Sequence, residues 1–290
     1  MVQFLFSLFI FFSFGNAFAS QGTFESDFRY IDSGMPQFKR VVTVVFENAS
    51  YTEALSQAYF KSIANSGALF TQFFAETHPS QANYIAMIAG DTLGVWGDAP
   101  VNLNGNHIGN LLEAKGLTWK TYAEDLPSNC FLDKSQNKYA RKHVPFLSFT
   151  NVQKFPNECA KVVEGAQFFI DQKANALPNY SLYIPNLNHD GHDTNADEAS
   201  KWFSDAFNAL LSDSQFMKDT LFVVTFDESD HYAGPNQIYT VLLGANITPG
   251  AIVDVKTSHY SILKMIEDQF LLGNLGRKDA DAIPITGIWK

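Results

Sequence analysis

Short apolar runs without polar alternation are the clearest pattern in the chain. The first run covers residues 41–46, and similar β-branched or aromatic runs cover residues 68–74, 181–184, 221–226 and 239–243. Such runs are typical of strands that are buried on both faces of a parallel sheet. Segments with apolar residues three or four positions apart lie between the runs and predict helices over residues 52–65, 85–88, 108–113, 164–173, 199–211 and 261–271. This alternation predicts an α/β sandwich around a mostly parallel sheet.

Composition supports a globular protein with a full core and limits its partners. Of the 290 residues, 46% are hydrophobic and 17% are charged, and the formal net charge is −10. An acidic chain offers no broad basic face to duplex nucleic acid or to an anionic membrane surface, so we expect no nucleic-acid binding. Neutral or metal-bridged substrates remain compatible with this charge.

The first twenty residues predict a secretory signal peptide. Residues 1–20 carry no charged side chain, and an apolar run over residues 4–14 is followed by Ala-Phe-Ala at residues 17–19. The run is too short to cross a bilayer as a helix, so we expect no transmembrane anchor after cleavage, and a retained anchor is the alternative. Residues 21–290 would then form a single domain that is secreted to an extracellular or periplasmic space.

One stretch interrupts the alternation of strand and helix. Residues 121–155 have no clear period and include a basic run over residues 138–143. The two cysteines of the chain, Cys130 and Cys159, are expected to form a disulfide in an oxidising compartment. Two interpretations of the stretch remain open, namely a lid over the edge of the sheet and an ordinary surface loop held by the disulfide.

Four of the predicted strands end in polar, ionisable residues. The segments that follow them are Glu47-Asn48, Glu76-Thr77 with His78-Pro79-Ser80, residues 188–193, and residues 227–231. The carboxyl ends of parallel strands meet at one edge of an open sheet, where ligands bind. Carboxylates, imidazoles and a hydroxyl would therefore converge there, which predicts a catalytic site.

Glu47, Asn48, Asp227 and Glu228 would bring three carboxylates and one amide carbonyl to this edge. An oxygen-rich set suits a hard divalent cation such as Ca²⁺, Mg²⁺ or Mn²⁺, and Zn²⁺ is not excluded. Burying three carboxylates without a cation is costly, so either a metal ion lies among them or they are solvated acidic loop residues.

Ser80 is the candidate nucleophile, because the N–H groups of the helix that follows would point at the group it attacks, and phosphate suits such a terminus. The alternative is that Ser80 is a helix N-cap. Asn83, one turn along, would donate its amide N–H to a phosphoryl oxygen, or else face solvent.

The histidines leave more alternatives open. The spacing of His189 and His192 fits metal binding, general acid catalysis and a hydrogen-bonded loop equally well. His143 follows a basic run that is typical of a solvated face, and His259 is most simply a residue of a helix-capping region.

At these residues the chain resembles the bacterial and fungal phosphoesterases that include secreted acid phosphatases and phospholipases C. The matching segments, in family order, are Glu47-Asn48-Ala49-Ser50-Tyr51, Thr77-His78-Pro79-Ser80-Gln81-Ala82-Asn83-Tyr84, Lys142-His143-Val144-Pro145-Phe146, Asp190-Gly191-His192-Asp193, Thr225-Phe226-Asp227-Glu228 and His259-Tyr260-Ser261. The resemblance implies an alkaline-phosphatase-like fold, a three-layer sandwich with a mostly parallel central sheet.

The resemblance also implies one bound divalent metal ion and a phosphate ester substrate. The metal ligands that it implies are Glu47, Asn48, Asp227, Glu228 and Ser80, with Ser80 also the nucleophile. Asn83, His143 and His192 would surround the phosphate. The extra C-terminal domains and long insertions of the larger phospholipases C are not found in this sequence, which is more similar to the compact acid phosphatases.

The function expected from the sequence is a secreted, metal-dependent phosphomonoesterase that forms a phosphoseryl intermediate on Ser80, with His192 protonating the leaving alcohol. A phospholipase C or another phosphodiesterase on the same scaffold is one alternative. A secreted protein that binds a metal or carbohydrate without chemistry is another. A serine hydrolase of the GxSxG type is not indicated, because Ser80 lies in His-Pro-Ser-Gln-Ala.

Overall fold

The computed structural model describes Met1 and residues 34–290, so the predicted signal peptide beyond Met1 lies outside the described residues. The described strands are β1 (Arg40–Phe46), β2 (Ala68–Phe70), β3 (Phe73–Phe74), β4 (Trp119–Ala123), β5 (Ser135–Gln136), β6 (Tyr139–Ala140), β7 (Val162–Glu164), β8 (Tyr180–Ile184), β9 (Thr220–Phe226), β10 (Thr240–Leu243), β11 (Ala251–Val253) and β12 (Thr257–Ser258). The described helices are α1 (Tyr51–Ser56), α2 (Ala58–Ser66), α3 (Ser80–Ala89), α4 (Ile108–Ala114), α5 (Thr150–Gln153), α6 (Pro156–Cys159), α7 (Gln167–Lys173), α8 (Ala196–Leu211), α9 (Ser214–Lys218) and α10 (His259–Gln269).

The central sheet has eight strands in the order β11-β2-β10-β9-β1-β8-β4-β7. All pairs are parallel except those that involve β10, which runs antiparallel to both β2 and β9. Every residue of β1, β8 and β9 is buried, as their mainly apolar sequences without regular polar alternation predict. The predicted mostly parallel sheet is confirmed.

Several predicted boundaries are wrong. The run over residues 68–74 is two strands: β2 lies in the central sheet, whereas β3 pairs with β12 in a separate small sheet. The helix predicted over residues 52–65 is broken at Gln57, whose ψ of 136° is extended rather than helical. The helix predicted over residues 164–173 begins only at Gln167, because the residues before it complete β7.

Aromatic side chains fill the space between the sheet and one layer of helices. Phe46 on β1 lies 5.2 Å from Phe60 on α2, 5.6 Å from Phe203 on α8 and 5.5 Å from Phe226 on β9, measured between ring centroids. Helices α1, α2, α8 and α9 pack together in this layer, while α3 packs with α4 and α10 in the other. The helices and sheet thus form the expected three-layer sandwich.

Residues 121–155 are more ordered than the predicted excursion. Residues 121–123 belong to β4 in the central sheet, which corrects the start of the stretch. The remainder carries the β5–β6 hairpin and two short 3-10 turns, Arg141–His143 and Pro145–Ser148, both of which contact α3. Cys130 and Cys159 form the predicted disulfide, with their Cα atoms 5.4 Å apart.

Among the helices of the described residues, none has the length and apolar character needed to cross a membrane.

Candidate active site

Three neighbouring strands deliver carboxylates to one edge of the sheet. Glu47 follows β1, Asp227 and Glu228 follow β9, and Asp190 lies in the loop after β8. Backbone hydrogen bonds join these exits: Glu47 N donates to Asp190 O (2.9 Å), and Asp227 N donates to the carbonyl of Phe46 (2.9 Å). The predicted convergence of strand ends is therefore present, as the topology of an open sheet requires.

Ser80 is the first residue of α3, and its hydroxyl faces this cluster. Ser80 Oγ lies 3.1 Å from Glu47 Oε2, 3.3 Å from Glu228 Oε1 and 3.4 Å from Lys142 Nζ. The N-cap position is occupied by Pro79, which follows a cis peptide bond, so Ser80 is not the N-cap of this helix. The hydroxyl is therefore free to contact a bound group instead of the helix backbone.

The carboxylates beside Ser80 are almost completely buried, with 1% of Glu47, 0% of Asp227 and 1% of Glu228 exposed. Burial, reinforced by the charge of Glu47, raises the pKa of Glu228 to about 8 and raises the pKa of Asp227 well above its usual value. Burial opposes ionisation of Glu47 as well, but the charges of His143 and Lys142 lower its pKa to about 2. Such a group of acids needs a positive charge among its oxygens.

The residues at this position fit a hard metal ion by their chemistry. Asp227 Oδ1 accepts a hydrogen bond from the backbone N–H of Asn48 (3.2 Å), which has a left-handed φ of 48°. Asp227 Oδ2 is buried and has no hydrogen-bond partner, whereas Glu47 Oε1 pairs with His143. Among the described residues, no group of three His, Cys, Asp or Glu side chains stands close enough together to hold a metal ion. Metal binding thus stays a prediction, supported by the buried, unpartnered Asp227 oxygen beside Glu47 and Glu228.

His143 is buried behind the carboxylates and does not lie on a solvated face. Its Nε2 atom is 2.9 Å from Glu47 Oε1 and its Nδ1 atom 3.3 Å from Asp190 Oδ2, and its ring stacks on Tyr84 with centroids 5.1 Å apart. Burial alone would lower the pKa of His143, but the two carboxylates raise it to about 9. His143 therefore supplies a positive charge beneath Glu47, and its expected contact with phosphate remains a prediction.

His192 lies at the mouth of the site. Its Nε2 atom is 3.3 Å from Lys142 Nζ, and its Nδ1 atom is 2.9 Å from Asp193 Oδ1. Because the Lys142 ammonium group can only donate, Nε2 accepts this hydrogen bond and Nδ1–H donates to Asp193, and the side chain is 30% exposed. His189 differs, because it pairs with Glu124 Oε2 (2.7 Å) and stacks on Trp202, which corresponds to the hydrogen-bonded loop alternative.

Asn83 is fully buried rather than exposed to solvent. Its Oδ1 atom accepts hydrogen bonds from the backbone N–H groups of Glu76 (3.0 Å) and Thr77 (3.1 Å), and its Nδ2 atom donates to Thr77 O (2.8 Å). These bonds fix the loop that leads to Ser80. A contact between Asn83 and a phosphoryl oxygen remains a prediction, and the structure gives its amide a positioning role in the loop.

Sequence reasoning missed several residues that contact the cluster. Lys142 was interpreted only as part of a basic run, although it adjoins Ser80, and Asp98 holds it at 3.0 Å. His78 Nδ1 lies 2.6 Å from Glu228 Oε2, and its ring stacks on Tyr232. The only available signal was that Lys142 and His78 fall within the motif segments; Asp98 and Tyr232 lie outside them.

His259 is also part of this framework. Its Nε2 atom donates a hydrogen bond to the backbone carbonyl of Asp227 (2.8 Å), and the ring is buried. Burial lowers the pKa of His259 to about 4, so the imidazole is neutral and acts as a brace for the end of β9. The expectation of a simple capping-region residue did not anticipate this contact.

The model of the Phosphoesterase family matches residues 49–273 of this chain. The chain belongs to the Phosphoesterase family. Membership confirms the resemblance drawn from the motifs and assigns the chain to a family of hydrolases that act on phosphoric esters.

Curated relatives of this chain are phosphatases from fungi and bacteria. It is 34% identical over 257 residues to a probable acid phosphatase of Kluyveromyces lactis, covering 84% of this chain and 61% of that protein. An acid phosphatase of Aspergillus fumigatus is also 34% identical over 257 residues, with 84% of this chain and 58% of that protein covered. A phosphatidylinositol-3-phosphatase of Mycobacterium tuberculosis is 37% identical over 262 residues, with 89% and 85% covered. The chain thus spans about three fifths of these two fungal relatives.

Solved structures confirm the fold of this chain. A protein of the alkaline phosphatase superfamily from Vibrio parahaemolyticus aligns with a TM-score of 0.59 at 13% identity, covering 87% of this chain and 71% of that one. A phosphonate monoester hydrolase from Silicibacter pomeroyi aligns with a TM-score of 0.54 at 10% identity, covering 80% and 73%. The expected alkaline-phosphatase-like α/β fold is therefore confirmed.

Proposed function

We propose that this protein is a secreted, metal-dependent phosphomonoesterase that works through a covalent phosphoseryl intermediate on Ser80. The observation that carries the proposal is the position of Ser80 Oγ, at the N-terminal end of α3 and within 3.1 to 3.4 Å of Glu47, Glu228 and Lys142. A nucleophile at a helix N-terminus can attack a phosphoryl group whose oxygens face the free backbone N–H groups of that helix.

In the proposed mechanism Ser80 is the nucleophile, a neighbouring carboxylate accepts its proton, and His192 protonates the leaving alcohol. Ser80 Oγ attacks phosphorus, and its proton can move to Glu47 Oε2, the ionised carboxylate oxygen 3.1 Å away, from which it returns when Ser80 is released. The P–O bond to the leaving alcohol breaks, and that oxygen takes a proton from His192 Nε2. In the structure His192 Nε2 accepts a hydrogen bond from Lys142 Nζ, which also contacts Ser80 Oγ, so the role of proton donor requires Nε2 to be protonated and this contact to be replaced by one to the leaving oxygen. Water, deprotonated by His192, then hydrolyses the phosphoserine and restores Ser80.

Glu47, Asn48, Asp227, Glu228 and Ser80 would hold the divalent ion. When bound, such an ion lowers the pKa of a coordinated hydroxyl and offsets negative charge on the phosphoryl oxygens. His143 would keep Glu47 ionised from behind, because it lies 2.9 Å from Glu47 Oε1 on the far side from Ser80's own contact with Oε2. Its role here is to position and charge the Glu47 carboxylate.

Secretion is part of the proposal. The apolar run over residues 4–14 and the disulfide between Cys130 and Cys159 both support an oxidising compartment. The test is the N-terminal sequence of protein recovered from culture medium or periplasm, which should begin at residue 20 or 21. Recovery of the intact N-terminus from a membrane fraction would support a retained anchor instead.

Ser80→Ala tests the nucleophile. With 4-nitrophenyl phosphate, we expect the variant to lose at least about 10³-fold in kcat, as typically follows loss of a covalent nucleophile. Acid quenching of the wild-type reaction should trap a phosphoprotein that the variant cannot form. Ser200→Ala is a matched control, because Ser200 is a buried serine on α8. Turnover by Ser80→Ala near the wild-type rate would rule out this nucleophile.

A chelator tests the metal. After dialysis against EDTA, metal analysis should find less than one equivalent of divalent ion, activity should fall in proportion, and added Mg²⁺, Ca²⁺, Mn²⁺ or Zn²⁺ should restore it. Full activity in protein shown to be metal-free would overturn the proposed metal dependence.

A lipid phosphatase is the second candidate function. It is favoured by the phosphatidylinositol-3-phosphatase of Mycobacterium tuberculosis, which is 37% identical and covers 89% of this chain. A panel of soluble monoesters, phosphodiesters, phosphatidylinositol 3-phosphate vesicles and phosphatidylcholine vesicles separates the candidates. Preference for the phosphatidylinositol phosphate would favour this second function, and cleavage of phosphatidylcholine would favour a phospholipase C.

A further inference from the structure

Lys142 is a cation at the open side of the nucleophile. Its Nζ atom lies 3.4 Å from Ser80 Oγ, 3.0 Å from Asp98 Oδ2 and 3.3 Å from His192 Nε2. The side chain of Lys142 is 16% exposed, whereas Glu47 and Glu228 next to it are buried. A phosphoryl group bonded to Ser80 Oγ would thus have its oxygens within reach of this ammonium group.

Asp98 fixes Lys142 relative to Ser80. Asp98 Oδ1 accepts a hydrogen bond from the backbone N–H of Gln81 (3.1 Å), the residue after Ser80. The side-chain Nε2 of Gln81 in turn donates to the two carbonyl groups that flank Asp98 (2.7 and 2.8 Å). The loop that holds Lys142 is therefore joined to the same turn of α3 that carries the nucleophile.

The backbone of Lys142 is fixed from its other side by Arg141. The Arg141 guanidinium is buried and donates to the carbonyl groups of Leu132 (2.6 Å), Val101 (2.9 Å) and Leu147 (3.0 Å). With its backbone and its ammonium group both held, Lys142 loses little freedom when it contacts substrate. A preorganised cation of this kind stabilises charge more effectively than a mobile surface lysine.

We propose that Lys142 is a specificity-determining residue that makes this site favour phosphomonoesters over phosphodiesters. The proposal rests on the proposed function and goes beyond it by assigning the selectivity to one side chain. A monoester brings two negative charges on three terminal oxygens, whereas a diester brings one charge on two. The other side chains in contact with Ser80 Oγ are carboxylates, so Lys142 is the contacting group that can favour the additional charge.

The space around Lys142 supports the same selectivity. A cavity of about 220 Å³ adjoins Lys142 and is also lined by Asp98, His192 and the β5–β6 hairpin. The second ester group of a diester would replace a terminal oxygen and meet the Lys142–Asp98 pair instead of making an ionic contact.

The test compares two substrates in one variant. For wild type and Lys142→Met, kcat/KM is measured with 4-nitrophenyl phosphate and with bis(4-nitrophenyl) phosphate. We expect the monoester value to fall about 10²–10³-fold, as on removal of one transition-state charge donor, and the diester value to fall less than about tenfold. An equal fall for both substrates would overturn the proposal.

Asp98→Asn provides an independent test in a variant that keeps the side-chain volume. Asp98 acts through Lys142 and is a positioning residue, so its loss should lower the ratio of monoester to diester kcat/KM in the same direction but by less. A merely structural role would lower both values together, and an unchanged ratio in folded Asp98→Asn would count against the proposal even if Lys142→Met failed to fold.

Lys264→Met is the control for loss of a paired lysine, since Lys264 pairs with Asp268 on α10 (3.3 Å). It should leave both substrates unchanged, and thermal unfolding of every variant reports folding. A wild-type protein inactive on both substrates, or active without Ser80, would refute the proposed function. Ser80-dependent activity whose ratio is unaffected by Lys142→Met would refute this inference alone.

Discussion

Removal of the disulfide should separate the stability of this protein from its catalytic geometry. The bond joins Cys130 and Cys159, which are 29 positions apart, and closes the segment that carries the β5–β6 hairpin and Lys142. Loop-closure entropy for a ring of this size stabilises the folded state by about 3.6 kcal/mol at 25 °C. For a domain of this length, each kcal/mol corresponds to about 2–4 °C, so the melting temperature should fall by about 7–14 °C.

The double variant Cys130→Ala/Cys159→Ala avoids a free buried thiol and is the suitable perturbation. Residues around Lys142 have supports that do not involve sulfur, including the Arg141 hydrogen bonds and Phe146, which stacks on Trp119 with ring centroids 4.1 Å apart. We therefore expect kcat/KM at 25 °C to stay close to the wild-type value.

The assay measures melting curves of the wild type and the double variant with and without reductant, and kcat/KM of both proteins at 25 °C. Reductant should lower the melting temperature of the wild type and leave the double variant unaffected. An unchanged melting temperature on reduction would refute the entropic argument. Loss of activity at a temperature where the variant is fully folded would refute the claim that the site has independent supports.

Three further predictions concern residues outside the immediate reacting groups. Burial and the charge of Asp279 raise the pKa of Glu267 to about 9, so the stabilising contribution of the protonated side chain is complete below pH 4.5 and is lost as the pH rises toward 9. Glu267→Gln should therefore melt at a higher temperature than wild type at pH 8, by about 2–4 °C for each kcal/mol gained, and at the same temperature as wild type at pH 4. Melting temperatures that differ equally at the two pH values would contradict this. His259→Phe leaves the buried carbonyl of Asp227 without its donor and should cost about 1–3 kcal/mol in urea unfolding, together with a lower kcat; an unchanged midpoint would argue against the brace. Gly191→Ala should destabilise the protein by about 1–3 kcal/mol, because φ at this position is 102°, and calorimetry with no shift would contradict that reasoning.

The part of the fold that the sequence predicts best is the centre of the sheet. Strands β1, β8 and β9 are buried on both faces, so their sequences are mainly apolar without polar alternation. The acids Glu47, Asp227 and Glu228 stand out because they follow β1 and β9 directly. Strand β4 was missed because Lys120 interrupts its apolar run; the lysine is tolerated there since its ammonium group pairs with Asp171 (2.6 Å). The pairing partner lies 51 positions away and is not visible in a local pattern.

The site residues that the sequence does not predict escape prediction for the same reason as β4, because the residues they contact are distant in the chain. Lys142 belongs to a run that has the composition of a solvated surface. Only the tertiary fold gives that lysine a half-buried carboxylate partner, Asp98, on one side and the Ser80 hydroxyl on the other. For Asn83 the difference runs the other way, because the sequence predicts a phosphate contact that its hydrogen bonds do not show. Helical spacing places it one turn from Ser80, but its amide is committed to the preceding loop by three hydrogen bonds.

All ten residues of α3 are buried, including Ser80 at its start, and the helix ends at Gly90 in a left-handed conformation. A wholly enclosed helix has almost no tolerance for changes in side-chain volume along its length. The loops that carry His192 and Tyr232 are more open than the helix, with 30% of the His192 side chain and 69% of Tyr232 exposed. Substitutions meant to change substrate preference are therefore better placed near Tyr232 than in α3 or in the Asp98 loop, because that loop is hydrogen-bonded to Gln81 and holds the turn that carries Ser80.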